Sequence, residues 1–405
     1  MANVLGINLS ELTPPAALKK VEGFLNDGRQ HYLVTPNPEI ILASHKDEEL
    51  FYILNKADLS IADGFGLKLA GWLTGVKIPR LTGADLTLDL LHLAAEKRIS
   101  VLILNWRGGL SKKTDVTEAL NKKYPTLQFK VIDASRSHPL APTVIAAIKD
   151  FAPIILFNTF GSPYQEKVIY HNLKQLPPVK LALGVGGAFD FITGRAIRAP
   201  HFLRYLGLEW LWRLLHSGKG HAPKFKRWKR IYNATFVFTG KLLRGRLNHF
   251  FYRPNVACLL YKKENGRIKF LIVEREDEPG HWQLPQGGTD GESLKQAGAR
   301  ELREELNTTH FNLKAVFKDT YSYLFPPVGQ QRSLSVSRRY KYDYKGQRQG
   351  LYIGEFTGAD SDIKVNFWDH RAWKWVEEGD FVATVHPVRQ ESAKIFLEKF
   401  KSLKV

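Results

Sequence analysis

Three glutamates near residue 300 have the residue type and spacing of metal ligands. Glu301, Glu304 and Glu305 stand at i, i+3 and i+4, so on a helix they share one face. Adjacent carboxylates repel unless something neutralises them, and hard divalent cations such as Mg²⁺ take oxygen ligands and often complete their shell with substrate phosphates. The alternative interpretation is a solvated acidic face paired with Arg300 and Arg303.

The surrounding residues favour the metal interpretation. Residues 293–306 are good helix formers, and this stretch resembles the Nudix box, where a glycine and a glutamate precede R-E-U-x-E-E-x-G-U. Residues 300–305 read R-E-L-R-E-E, and Glu292 precedes them by seven intervening residues. There are two departures from the box. Four residues instead of five separate Gly287 from Glu292, and Asn307 stands at the usual glycine, where a left-handed helix cap tolerates asparagine.

The Nudix resemblance implies hydrolysis of a nucleoside diphosphate linked to another group X, with Mg²⁺ or Mn²⁺ as cofactor. Glu301, Glu304 and Glu305 would hold the metal, which would polarise the phosphates and activate water. Glu304 and Glu305 are the expected catalytic residues, and Glu292 would assist metal binding or orient Arg300. The flanking segments "WQLPQGG" and "YKGQRQGLYIGEFTG" are most similar to RNA pyrophosphohydrolases and dinucleoside-polyphosphate hydrolases.

The first 200 residues alternate short apolar runs with helix-like stretches. The runs are "HYLVTPN", "LSIADG", "SVLILN", "QFKVIDAS", "PIILFNTFG" and "KLALGVGG". They predict buried parallel strands joined by helices, an α/β fold, with chemistry at the carboxyl ends of the strands. From Asn255, "NVACLLYKKENGRIKFLIVERE" predicts two strands around an Asn-Gly turn, so we place a domain boundary near residue 245.

Three motifs in this part carry candidate site residues. They are "VTPNPEI" with Thr35 and Asn37, "IADGFGLKLAGWLTGVKIPRLTG" with Asp63 and Arg80, and "FGSPYQEKVI" with Gln165. Each has a plain structural alternative, such as a turn at Asp63 or a helix cap at Asn37. In this order, and with "RAPHFLRYLGLEWLWRLL" following, they resemble the WecG/TagA/CpsF glycosyltransferases over roughly residues 3–230.

The two resemblances imply an α/β chain of two domains. A Rossmann-like parallel-sheet glycosyltransferase domain would span residues 1–245, and a Nudix α/β/α sandwich with a mixed sheet would span 246–405. The first domain would transfer an N-acetylmannosamine-like sugar, with inversion, from a UDP-sugar to a polyprenyl-diphosphate-linked acceptor in cell-wall or other surface polysaccharide synthesis. No metal is expected for this transfer.

The resemblance also assigns roles to residues of the first domain. Asp63 is the expected base that takes the acceptor hydroxyl proton, and Thr35 belongs with it in the catalytic set. Guanidinium groups would offset the charge of the departing diphosphate, since they bind phosphate in a bidentate manner. The expected substrate-binding residues are Asn37, Arg80, Gln165, Arg204, Arg213 and Arg227.

The positive charge is concentrated between residues 195 and 253, here called the basic strip. It contains fourteen Lys and Arg residues and one acidic residue, so it supplies +13 of the net charge of +19. It is also rich in aromatic and leucine residues. An anionic membrane surface is the expected partner, since each basic residue near it contributes about 1 kcal/mol. RNA, which would bind through its phosphates and stacked bases, and a solvated linker are the alternatives.

The remaining features bear on location. There is no signal-peptide layout and no run of about 18 apolar residues, and the single Cys258 is typical of a reducing compartment. We therefore expect a cytoplasmic protein held peripherally at the inner face of the cell membrane by an appendage at about 201–245.

Three functional hypotheses follow from the sequence. The leading one is a bifunctional glycosyltransferase and Nudix hydrolase that takes a nucleotide substrate. The second is an RNA 5′-pyrophosphohydrolase with a basic RNA-binding strip and a non-catalytic N-terminal domain. The third makes one of the two domains a binding module. The sequence leaves a homo-oligomer open.

Overall fold

The computed structural model describes residues 2–74, 78–79, 81–200, 203, 212, 232–248, 250–325 and 344–403. The six apolar runs form one sheet. A small antiparallel pair, β1 (Ala2–Val4) and β2 (Ile7–Leu9), precedes it. The sheet strands are β3 (His31–Val34), β4 (Leu59–Ser60), β5 (Val101–Trp106), β6 (Phe129–Ala134), β7 (Ile155–Asn158) and β8 (Leu181–Gly184). Their order is β4-β3-β8-β7-β5-β6, and every neighbouring pair is parallel. The predicted parallel α/β sheet is confirmed.

Helices connect these strands. They are α1 (Pro14–Asn26), α2 (Pro38–Ser44), α3 (Glu48–Lys56), α4 (Phe65–Thr74), α5 (Gly83–Lys97), α6 (Lys113–Lys123), α7 (Pro142–Phe151), α8 (Tyr164–Asn172), a 3₁₀ turn (Leu173–Gln175) and α9 (Ala188–Ile192). Side chains alternate across each strand, so Leu102 and Leu104 join one buried apolar cluster while Val101 and Ile103 join another. The sheet is therefore buried on both faces, as a parallel sheet requires.

The chain divides into two compact units, residues 1–243 and 244–405. A π-helical stretch (Asn233–Val237) leads into α10 (Phe238–Asn248) next to this division. Phe238 and Leu242 are buried in one core cluster of the first unit, so this end of the basic strip packs onto the domain.

The second unit is built on a mixed seven-stranded sheet. Its strands are β9 (Tyr252–Glu264), β10 (Arg267–Arg275), β11 (Trp282–Gln283), β12 (Gln286–Gly288), β13 (Phe311–Leu324), β14 (Gly346–Phe356) and β15 (His370–Glu377). Strands β9 and β14 are parallel, and the other pairs are antiparallel. Asn265 and Gly266 have φ of 51° and 73°, so the Asn-Gly turn predicted between β9 and β10 is confirmed.

Helices cover both faces of this mixed sheet. They are α11 (Leu294–Leu306), α12 (Phe381–Thr384) and α13 (Gln390–Lys401), with 3₁₀ turns at Asp360–Asp362 and Pro387–Arg389. Leu302 of α11 packs in one apolar cluster and Phe396 of α13 packs in the other. The predicted α/β/α sandwich is confirmed.

None of the helices within the described residues has the length and apolar character needed to cross a membrane.

Candidate active sites

The ends of β3 and β4 bring three predicted residues of the first unit to one edge of the sheet. Thr35 directly follows β3, and Asp63 lies three residues after β4. Backbone pairing continues past both strands, because the Asp63 N–H donates to the Pro36 carbonyl at 2.9 Å. Asp63 is half-buried and lies beside the residue that precedes Asn37. Thr35, Asn37 and Asp63 therefore lie near one another at this edge of the sheet.

Asn37 has a structural role that the sequence also offered. Its side-chain oxygen caps α2 by accepting a hydrogen bond from the Ile40 N–H at 3.0 Å. Because the cap uses only the oxygen, the side-chain nitrogen can still donate to a ligand. The geometry therefore accommodates both the cap and the predicted contact with a sugar.

Arg198 is a charged residue that the motifs missed at this edge. Its Nη2 lies 2.6 Å from Asp85 Oδ1 and donates to Thr82 Oγ1 at 3.2 Å. Gly83 follows Thr82 and lies beside the buried side chain of Thr35. A Cβ added at Gly83 would lie 3.0 Å from Thr35 Oγ1. Arg198 is thus held one contact away from Thr35. No sequence signal identified it, because it is one of many arginines in the basic strip.

Gln165 is placed as a bridge between loops. It is 4% exposed, and its Oε1 accepts hydrogen bonds from the Gly161 and Gly186 N–H groups at 3.1 and 3.0 Å. Its Nε2 donates to Glu166 Oε1 at 2.8 Å, and burial raises the pKa of Glu166. This geometry joins the loops that follow β7 and β8, so Gln165 shapes the carboxyl edge of the sheet through backbone groups.

Four further candidates lie outside the described residues. They are Arg80, Arg204, Arg213 and Arg227.

In the second unit the glutamates lie on α11, which begins with a capping box. Ser293 Oγ accepts from the Gln296 N–H, and Gln296 Oε1 accepts from the Ser293 N–H, both at 3.3 Å. At the other end Asn307 has φ of 51°, so the predicted left-handed cap is confirmed.

The three glutamates of this helix differ in burial. Glu301 and Glu305 are 8% and 4% exposed, whereas the Glu304 side chain is half-exposed. The Gln286 N–H donates to Glu305 Oε2 at 3.2 Å, and the Glu301 carboxylate fills the space beside Gly287 that a Cβ would occupy. The PQGG segment therefore packs directly onto the buried carboxylates.

Arg300 connects the acidic residues. Its guanidinium donates to Glu292 at 2.9 Å, to Glu301 at 2.8 Å, to Glu304 at 2.9 Å and to the Gly288 carbonyl at 2.7 Å. Burial opposes its charge, but the three carboxylates outweigh burial and raise the pKa of Arg300 above the usual arginine range. Arg303 instead donates to the Ala299 carbonyl at 3.0 Å.

The shortened loop of the box still brings Glu292 to Arg300. Asp290 and Gly291 have φ of 49° and 90°, and the Glu292 N–H donates to the Thr289 carbonyl at 2.8 Å. This turn takes up the missing residue. Glu292 thus reaches Arg300 even though its loop is one residue shorter than the usual box.

The donor set fits a hard divalent cation. Glu301, Glu304 and Glu305 offer only oxygen atoms, and two of the three carboxylates are buried beside each other on one helix face. Glu292, Glu301 and Glu304 share the single positive charge of Arg300, so the site retains negative charge that a cation such as Mg²⁺ would neutralise.

A separate group of Glu278, His281 and His386 was not predicted. One ligand atom from each lies within 4.8 Å of the others. The two imidazole rings stack at 4.0 Å with an interplanar angle of 6°. His281 Nδ1 lies 2.9 Å from Glu278 Oε2. The buried His281 thus pairs with the partly exposed Glu278 and stacks on the partly exposed His386.

Comparison with known proteins gives two matches that divide the chain. Residues 2–250 match the model of the glycosyl transferase WecG/TagA/CpsF family, and residues 251–398 match the NUDIX domain. The fold and sites thus define a glycosyltransferase joined to a hydrolase. The chain belongs to the WecG/TagA/CpsF glycosyltransferase family, and its C-terminal part is a Nudix domain.

Different known proteins are similar to the two parts of the chain. The N-acetylglucosaminyldiphosphoundecaprenol N-acetyl-beta-D-mannosaminyltransferase of Bacillus subtilis (strain 168) is 29% identical over 227 residues, which cover 54% of this chain and 84% of the relative. The RNA pyrophosphohydrolase of Wolbachia pipientis subsp. Culex pipiens (strain wPip) is 36% identical over 156 residues, which cover 38% of this chain and 91% of the relative. Among solved structures, a C. elegans Ap4A hydrolase is similar at 21% identity with a TM-score of 0.29, covering 37% of this chain and 98% of that one.

Proposed function

We propose that the first unit transfers an N-acetylmannosamine-like sugar from a UDP-sugar to a polyprenyl-diphosphate-linked acceptor, the kind of transfer for which the similar Bacillus subtilis protein is named. The observation that carries this is the grouping of Thr35, Asn37 and Asp63 at the carboxyl edge of a parallel sheet, where ligands bind in such folds. Asp63 would accept the proton of the acceptor hydroxyl. That oxygen would attack the anomeric carbon opposite the departing UDP, which inverts its configuration.

The test is identification of the lipid-linked product. Purified chain is incubated with UDP-N-acetylmannosamine and a short polyprenyl-diphosphate-N-acetylglucosamine, and the lipid is analysed by mass spectrometry. A mass increase of one N-acetylhexosamine that disappears in Asp63→Asn supports the proposal. An unchanged lipid with wild type would contradict transfer of N-acetylmannosamine to this acceptor.

We further propose that the second unit hydrolyses a nucleoside diphosphate linked to another group, with Mg²⁺ or Mn²⁺ as cofactor. Glu301, Glu304 and Glu305 would hold the cation, with Glu292 keeping Arg300 in place beside them. When bound, the metal supplies charge that polarises phosphate oxygens and lowers the pKa of water. The protein's own contribution is to hold these carboxylates in fixed positions through Arg300 and the Gln286 backbone.

RNA bearing a 5′-triphosphate is the first substrate to test, because the similar Wolbachia protein is named an RNA pyrophosphohydrolase. Release of pyrophosphate or phosphate is compared for wild type, Glu305→Gln and Glu398→Gln, an exposed glutamate of α13 that serves as a control. Loss of release only in Glu305→Gln supports the proposal. Equal release from all three would contradict it. Dinucleoside polyphosphates form the second arm of the assay.

Exposed apolar residues support a peripheral position at the inner face of the membrane. Tyr232 and Phe236 are 57% and 69% exposed and contact each other at 5.6 Å between ring centres. On the same segment Leu243 is 49% exposed and Lys241 is exposed, a combination suited to a lipid interface. Cosedimentation with anionic liposomes, set against filter binding to RNA, distinguishes this proposal from an RNA-binding strip.

A further inference from the structure

Arg136 lies at the carboxyl edge of the parallel sheet, away from Asp63. It follows β6 by two residues, and its guanidinium carbon is 3.3 Å from the centre of the Trp106 ring at the end of β5. The ring of Tyr164, the first residue of α8, is 5.5 Å from the same carbon. Three strand ends therefore supply one planar cation and two aromatic rings to one place.

The guanidinium of Arg136 has no carboxylate partner within 4.0 Å among the described residues. Its Nε is buried and makes no hydrogen bond within that part of the chain. Burial also lowers the pKa of Arg136, because the charged form is less favoured when part of the guanidinium is removed from water. An oxygen acceptor of a ligand would give the arginine a partner, since burying a donor such as this Nε without one is costly.

The nearest acidic side chain in the sequence, Asp133, is used by a different contact. Asn105 Nδ2 donates to Asp133 Oδ1 at 2.8 Å, and Thr159 Oγ1 donates to Asn105 Oδ1 at 3.3 Å. The Trp106 N–H donates to Thr159 Oγ1 at 2.9 Å. This network connects the ends of β5, β6 and β7, so Trp106 is held rigidly under Arg136.

The position along the sheet indicates which part of a nucleotide-sugar would arrive there. The order of neighbouring strands runs from β3 through β8 and β7 to β5, three intervals that amount to about 14 Å. If the sugar lies at Thr35, Asn37 and Asp63, the diphosphate spans the middle and the nucleobase reaches the far end. A pyrimidine is attached to ribose through N1, so its 4-position is the edge most distant from the sugar.

We propose that Arg136, with Trp106 and Tyr164, forms the subsite for the nucleobase of the donor, and that Arg136 donates to the carbonyl oxygen at the 4-position of uracil. This inference rests on the proposed transferase function and adds its base selectivity. Cytosine carries an amino group at the same position, which is a donor and cannot accept from a guanidinium. The guanidinium lies on the Trp106 ring and presents its N–H donors in its own plane, where the edge of a planar base can accept from them.

The test measures nucleotide affinity by calorimetry without divalent metal, using the full chain and the ligands UDP and CDP. The variants are Arg136→Gln and Arg136→Lys, and the control is Arg29→Gln, an exposed arginine paired with Asp27 just before β3 at the opposite edge of the sheet. Wild type and control are expected to prefer UDP. Arg136→Gln should weaken UDP about tenfold or more, the value of a hydrogen bond to a charged group, and leave CDP nearly unchanged.

Arg136→Lys separates charge from shape. It keeps the positive charge and loses the fork of donors, so the preference for UDP over CDP should still fall. Thermal melting of each variant identifies loss of folding. If Arg136→Gln does not fold, the ratio of UDP affinity to CDP affinity in Arg136→Lys tests the inference. Equal weakening of UDP and CDP would place Arg136 at phosphate or ribose and overturn the inference. An unchanged preference would also overturn it.

The same experiment keeps this inference distinct from the function on which it rests. If wild type binds UDP and the substitutions of Arg136 do not change the ratio of UDP affinity to CDP affinity, only the proposed base subsite is wrong. If wild type binds neither nucleotide, the proposed UDP-sugar donor is wrong as well.

Discussion

Arg300 holds three carboxylates and a backbone carbonyl at once, which sets the arrangement of the Nudix helix. Two of its partners, Glu301 and Glu304, are expected metal ligands, and a third, Glu292, reaches it across the shortened loop. The sequence offered two interpretations of these glutamates, an ion-paired face or a metal site. The structure contains the ion pairs with Arg300 and also buries two carboxylates, which a plain solvated face would not do.

Gly287 provides a direct test of the buried carboxylate. Replacing it by alanine places a Cβ where the Glu301 carboxylate lies, so Glu301 must move. We expect hydrolysis by Gly287→Ala to fall by about 10- to 100-fold, the usual cost of disturbing groups that orient metal ligands. Gly379→Ala is the matched control, because Gly379 lies in the same unit and a Cβ added there would meet no atom within 4 Å. The ratio of kcat/KM between the two variants is the measurement, and comparable activities would contradict the assignment of Glu301.

His281 gives the second unit a predictable pH dependence. Burial, followed by the charges of Arg275, His386 and Arg389, lowers the pKa of His281 to about 3 in the folded state, against about 6.5 in an unfolded chain. The unfolded state then binds the extra proton first as pH falls, so stability decreases from about pH 6.5 towards pH 3.

Substitution of His281 isolates this proton. We expect His281→Gln to flatten the fall in melting temperature between pH 6.5 and pH 4, while His92→Gln, at a 71% exposed side chain, leaves it unchanged. Melting curves across this range provide the measurement. An equally steep fall in His281→Gln would mean that other groups carry the acid sensitivity.

At the scale of elements, the C-terminal end of α11 depends on a residue that departs from the family pattern. Asn307 adopts φ of 51°, and its side chain donates to the Lys364 carbonyl at 2.6 Å and to Asn366 Oδ1 at 2.9 Å. The asparagine thus supplies the left-handed conformation and also ties the helix end to the segment before β15. A glycine would supply only the first.

Two substitutions at this cap separate those contributions. Asn307→Ala keeps a Cβ in the left-handed region without the polar side chain that makes asparagine tolerant there, at about 1–2 kcal/mol, and it removes two hydrogen bonds of about 1 kcal/mol each. Asn307→Gly removes the same hydrogen bonds, but glycine adopts the left-handed conformation without that cost. The free energy of unfolding of the second unit, measured by urea denaturation, should therefore be highest for wild type, lower for the glycine variant and lowest for the alanine variant. Equal stability of the two variants would show that the backbone conformation at Asn307 is not retained.

Strands and helices were more predictable from the sequence than side-chain contacts. Six apolar runs and the Asn-Gly turn were enough for the strands, because period, length and turn chemistry are local properties. The ion pair of Arg198 with Asp85 joins residues far apart in the chain, and so does the stacking of Arg136 on Trp106. Such contacts depend on how strands are ordered in the sheet, which no local pattern specifies.

At the scale of the whole molecule, the chain contains two units with different chemical demands. One gathers Asp63 with polar groups at a parallel-sheet edge, and the other gathers carboxylates on a helix. Transfer by the first is proposed to need no metal, whereas hydrolysis by the second is proposed to need one.

Metal removal should therefore separate the two activities. We expect a chelator such as EDTA to abolish hydrolysis of the nucleotide substrate and to leave sugar transfer within about twofold, because the carboxylate set lies in the second unit. Both rates are measured on the same sample, and Mg²⁺ is then added back. Loss of transfer on chelation, restored by Mg²⁺, would contradict a metal-free transferase.

The most direct test of the account is UDP release from a panel of UDP-sugars with a short polyprenyl-diphosphate-N-acetylglucosamine acceptor, in the absence of Mg²⁺. Wild type, Asp63→Asn and Glu305→Gln are compared. We predict that acceptor-dependent release is lost in Asp63→Asn and retained in Glu305→Gln. Equal release from wild type and Asp63→Asn, or loss in Glu305→Gln, would contradict two independent active sites.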